Sequence, residues 1–155
     1  MVPQRPAVEI TAAGFFMERV FLRVLIVTKD IARFSAFTAG LQHRREIQVV
    51  SAATGTDGFL LLKDTQISLV VVDEHLGDMD GIAFVKQLVK VNPLINTAIV
   101  SLLIPEEFHE ATEGLGILMQ LPKKPGEKYA ETLLAILEKI GILLQPKTEQ
   151  PQQAV

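Results

Sequence analysis

Five apolar stretches of strand length punctuate this chain, at Phe21–Val27, Ile47–Ala52, Ile67–Val72, Ala98–Leu103 and, more weakly, Ile117–Leu121. Between them the apolar residues return at helical spacing. Ile31, Phe34, Phe37 and Leu41 form one such stripe; Ile82, Val85, Leu88 and Val89 form another; Leu133, Ile136, Leu137 and Ile140 form a third. Leu60, Leu61 and Leu62 follow Gly58 as a shorter apolar stretch. Strands alternating with such helices predict βαβ units around a parallel sheet. The third stretch, ISLVVVD, has no polar face, as a sheet covered by helices above and below requires. Right-handed crossovers leave few ways to connect these elements. The expected fold is α/β, a three-layer sandwich with a flavodoxin-like five-stranded parallel sheet of order 2-1-3-4-5.

Punctuation supports the helices. Asp30 opens the first helical stretch, Asp80 caps the third, and Pro105-Glu106-Glu107 places proline and acids at the start of the fourth. Pro93 ends the third helix, and Gly141 lies just past the fifth. Pro122 falls in or just after the last strand, where an edge position tolerates its missing amide proton.

The ends read differently from the middle. Residues 1–20 are expected to be a loose N-terminal extension, with Met17 an alternative start and a docking helix carrying Phe15, Phe16 and Val20 as the competing reading. Residues 21–141 form the domain, and residues 142–155 are expected to be a polar Gln/Pro tail without fixed structure. A total of 155 residues suits one domain, and 48% apolar with 21% charged residues reads as globular. The net charge of −3 comes without a basic block, so nucleic acid is not an expected partner. The absence of Cys removes thiolate chemistry and disulfides. No apolar run reaches the roughly 18–20 residues of a membrane span, and Glu9 and Glu18 break any signal-peptide pattern. A cytoplasmic location is expected, with no membrane partner.

Open parallel sheets place ligands and chemistry beyond the carboxyl ends of their strands. Asp73 stands at that end of the third strand, before the turn Glu74–Gly81. The pattern Asp73-x-x-Leu76-Gly77-x-x-Asp80-Gly81, the later Leu121-Pro122-Lys123-Lys124-Pro125, and Arg23–Val27 leading into Thr28-Lys29-Asp30 occur in order. Together they resemble the receiver domain of two-component response regulators, over roughly Leu22 to Gly141. The resemblance implies that Asp73 accepts a phosphoryl group from a histidine kinase and that Lys124 partners the phosphoryl oxygens. It implies an acidic pair after strand one which, with Asp73 and the carbonyl of His75, holds Mg²⁺. It further implies a Ser or Thr ending strand four and an aromatic residue in strand five that report phosphorylation.

Most supporting positions depart from that pattern. Thr28 and Lys29 occupy the acidic slots, and Leu103 and Leu121 align with the two switch positions, which are therefore degenerate. Gly126 stands where a large apolar residue commonly follows Lys-Pro. Ser101 is read as lying within the fourth strand, as packing. Mg²⁺ binds through one or two carboxylates in octahedral oxygen geometry. Here Lys29 is expected to pair with Asp73 directly and to repel a dication. No metal is expected; Asp73 and Asp30 are the residual candidate ligands, and Mg²⁺ enters only if the phosphoacceptor alternative holds.

The expected function is that of a single-domain, degenerate pseudo-receiver in phosphorelay signalling. It would act through protein contacts, with Mg²⁺-dependent phosphorylation impaired or lost. The alternative is a working receiver phosphorylated on Asp73. A more distant one is a small α/β enzyme or nucleotide binder, disfavoured because the chain lacks a Gly-Lys-Ser/Thr phosphate loop and a catalytic dyad. Expected partners are a histidine kinase or a downstream signalling protein, with homodimerisation through the fourth and fifth helices as an option. His43, His75 and His109 read as solvated residues.

Overall fold

A computed structural model describes Val8–Ile10, Phe16–Glu18 and residues 22–143. Strand β1 (Val8–Ile10) pairs antiparallel with β2 (Phe16–Glu18), Val8 opposite Glu18. The stretch expected to be a loose extension thus contains two short strands, and Phe16 lies in one of them rather than in a helix. The expectations for residues 1–7, for Phe15 and Val20, and for the tail from residue 144 onward concern positions outside the described residues.

The domain follows as β3 (Leu22–Val27), α1 (Ser35–Leu41), β4 (Ile47–Ala52), α2 (Gly55–Asp64), β5 (Leu69–Val72), α3 (Gly81–Val91), β6 (Asn96–Val100), α4 (Pro105–Thr112), β7 (Ile117–Leu121) and α5 (Glu127–Lys139). Its five strands are all parallel, in the order β4-β3-β5-β6-β7. Counted from β3 this is the expected order 2-1-3-4-5.

Period-two alternation sorts each central strand between two apolar layers. Val24, Ile26, Leu69 and Val71 face Phe34, Phe37, Leu41, Leu133 and Leu137 on the α1/α5 side. Leu25, Val27, Val70 and Val72 face Phe84, Val85 and Leu88 on the α3 side. All four residues of β5 are buried, because it is covered on both faces.

Among the boundaries that differ from the sequence reading, with β5 beginning at Leu69 and β6 at Asn96, two bear on the site and the core. The fourth sheet strand ends at Val100, not Leu103, so Ser101 is the first residue beyond it. The core also runs past Gly141. That glycine has φ +84°, a left-handed conformation that turns the chain back. The amides of Ile142 and Leu143 both donate to the Leu137 carbonyl, and Leu143 is only 4% exposed. Pro122 follows β7, which is an edge strand, as expected. Among the described residues no helix is long and apolar enough to cross a membrane.

Candidate functional site

Val27 and Val72 are register partners in β3 and β5, so the next residues, Thr28 and Asp73, emerge side by side at the carboxyl end of the sheet. Both are 3% exposed. The Asp73 amide continues the ladder to the Val27 carbonyl at 2.9 Å, which fixes where its side chain leaves the sheet.

Both carboxylate oxygens of Asp73 are engaged. Oδ1 accepts from the Glu74 amide at 2.8 Å. Oδ2 accepts from the Thr28 hydroxyl at 2.6 Å and from the Arg33 guanidinium. Thr28 Oγ1 in turn accepts from the Asp30 amide at 3.0 Å. Arg33 lies in a single 3-10 turn, Ile31–Phe34, between β3 and α1. Its Nη2 meets Asp73, its Nη1 donates to the Lys123 carbonyl, and its Nε lies 3.6 Å from Asp30 Oδ2. The guanidinium carbon is 5.7 Å from the centroid of the fully buried Phe34 ring.

The expected cation was Lys29; the observed one is Arg33. Lys29 is exposed, and its aliphatic stem passes over Gly77, where a Cβ would come within 3.3 Å of it. Gly77 has φ +89°, so the β5–α3 turn needs a glycine there for its backbone as well. Lys124 is exposed too, with no ion pair among the described residues. Of the expected pocket partners only Thr28 touches Asp73. Asp30 contacts Arg33 instead of opening a metal site.

The β5–α3 turn is closely built. Leu76 is fully buried, and its amide donates to the Met79 carbonyl at 2.9 Å. The Gly81 amide donates to the Glu74 carbonyl at 2.9 Å, and a Cβ at Gly81 would collide with the carbonyl oxygen of Asp73. Asp80 occupies the cap position of α3 without a side-chain cap bond; its Oδ1 lies 3.6 Å from His75 Nδ1. Asp78 reaches across to α2, accepting from the Gly55 and Thr56 amides and the Thr56 hydroxyl. These bonds, first from Gly55 and then from Thr56, hold the Asp78 carboxyl below its usual range.

The two residues expected at the switch positions lie away from the end of the sheet. Leu121 points into the α1/α5 core, and Leu103 lies in the loop beyond β6. The residues at the sheet end are Ser101 and Gln120. Ser101 is 6% exposed, its amide donates to the Leu121 carbonyl, and its hydroxyl accepts from the Leu103 amide. Gln120 Nε2 donates to the carbonyls of Ser101 (2.8 Å) and Leu103 (2.9 Å), tying the β6–α4 loop to β7. Glu74 Oε2 accepts from the Leu102 amide and links the same loop to the Asp73 turn. Alternation along β7 was the available signal: with Leu121 in the core, Gln120 must face the other way.

Mg²⁺ does not fit this donor set. Asp73 already accepts from three donors, and the Arg33 guanidinium stands between it and the next carboxylate, Asp30. No cluster of three or more potential metal ligands occurs among the described residues.

No family model matches the sequence, and no curated protein does. Solved structures do match. A CheY-like response regulator receiver domain protein from Methanospirillum hungatei is similar at 23% identity, TM-score 0.64, over 77% of this chain and 94% of the other. CheY4 of Vibrio cholerae is similar at 18% identity, TM-score 0.66, over 76% and 99%. The response regulator domain of Thermotoga maritima CheB is similar at 20% identity, TM-score 0.63, over 81% and 99%. At these identities the likeness establishes the CheY-like fold.

Proposed function

We propose that this chain is a receiver-fold signalling protein, without enzymatic activity or cofactor, that works through protein contacts in a two-component pathway. Metal-dependent phosphorylation of Asp73 is lost. The observation that carries this reading is the Arg33–Asp73 ion pair, braced by Thr28, where the resemblance would have a dication. Phosphoryl transfer depends on positioning and on metal-assisted neutralisation of charge. A carboxylate already bound by a guanidinium and two further donors is a poor nucleophile and a poor metal ligand. The partner is a histidine kinase or a downstream signalling protein.

The test is to incubate the full chain with a small-molecule phosphodonor, with and without Mg²⁺, and follow mass. No adduct on Asp73 in either condition is the expected result. Rapid Mg²⁺-dependent modification would favour the second reading, a working phosphoacceptor. One observation supports that alternative: a buried hydroxyl, Ser101, stands just past β6, with Gln120 bonded to its carbonyl. A hydroxyl thus stands at the end of the fourth sheet strand, where the resemblance has one that reports phosphorylation.

A further inference from the structure

We infer that Arg33 is a built-in counter-ion that fills the Asp73 pocket, excludes divalent cations from it, and fixes the β7–α5 connection in one position. This deepens the reading of Asp73 just given and rests on it. A single guanidinium touches three separate parts of the chain: the acid after β5, the Lys123 carbonyl after β7 and Asp30 after β3. Its planar fork suits such multiple donation, which a lysine ammonium at the same place would not reproduce. The 3-10 turn brings it there, since the Arg33 amide donates back to the Asp30 carbonyl at 3.1 Å and Phe34 anchors the next position in the core.

A dissolved ion occupies its site only in proportion to its concentration. A side chain tethered a few residues from β3 is always at hand, whatever the ionic composition of the solution. Its unit positive charge also opposes a dication approaching the same oxygen, most strongly where water is largely excluded. The Lys123 carbonyl is held by the same group, so the loop after β7 and the acid are set together.

Mg²⁺ alone is the probe. The isotopically labelled full chain is titrated with it while the amide signal of Glu74 is followed, because that amide donates to Asp73 Oδ1. In the wild type no saturable shift is expected. Arg33→Ala should acquire one, with apparent affinity greater by on the order of tenfold or more than any wild-type response, while Arg33→Lys, which keeps the charge, should not. Should Arg33→Ala fail to fold, Arg33→Gln serves, since it removes the charge and retains donors. A second readout is hydrogen exchange at the amides of Lys123, Lys124 and Gly126, expected to be faster in the uncharged variants than in the wild type. Equal Mg²⁺ responses in wild type and a folded uncharged variant, or unchanged exchange, would overturn the inference. Those results leave the proposed function standing if the phosphodonor still fails to modify wild-type Asp73; modification of the wild type sinks that reading on its own.

Discussion

A methyl group at position 81 has nowhere to go. The first turn of α3 lies so close to β5 that any side chain there meets the Asp73 carbonyl oxygen. Gly81→Ala should cost about 1–3 kcal/mol, as overpacking of a tight site does, and shift the urea midpoint accordingly. Thr28 is the complementary case. Thr28→Val keeps the shape but removes a donor from Asp73 and an acceptor from the Asp30 amide, an expected loss of about 1–3 kcal/mol by chemical denaturation. Asp73 itself was legible in the sequence, because a buried strand ending in an acid marks the sheet's functional edge. Arg33 was not. It sits in an apolar-looking stretch, and its partners lie 40 and 90 residues away. Only the hint of an acid three residues earlier, Asp30, pointed to a charged first turn.

Elements were easier to read than their ends. Alternation and helical spacing revealed all five strands of the parallel sheet, because burial on both faces leaves few polar interruptions. The end of β6 was misplaced because Leu102, Leu103 and Ile104 prolong the apolar run after the ladder has stopped; Leu102 and Ile104 are in fact exposed. That slip hid Ser101. The start of α2 has a double cap, Thr54 Oγ1 accepting from the Asp57 amide and Asp78 from two further amides. Because folding lowers the Asp78 pKa, its contribution is complete above its unfolded value of about 3.9 and is lost as pH falls through the lower folded value. Asp78→Asn should therefore be less stable than wild type at neutral pH. The gap should narrow in acid below about pH 4, as urea titrations at several pH values would reveal.

At the scale of the molecule, the sheet separates two apolar layers that share every central strand. Phe84, fully buried in the α3 layer, stacks on Phe59 with ring centroids 4.4 Å apart. Phe84→Ala should cost about 3–5 kcal/mol, and signals from both layers should be lost in one transition, since β3 and β5 serve both. Leu143→Ala should cost about 2–5 kcal/mol, because its side chain belongs to the α1/α5 layer of the core. The Arg33 contact joins the chain just after β3, β5 and β7, strands that only the completed sheet brings to one edge, with β6 between the last two. Closing such long loops is slow to be rewarded, so the ionic knot is expected to form only after the folding barrier has been crossed. Stopped-flow measurements on Arg33→Ala should then show a refolding limb close to that of the wild type and faster unfolding at every denaturant concentration. The residue that guards the acid would also set how long each molecule stays folded.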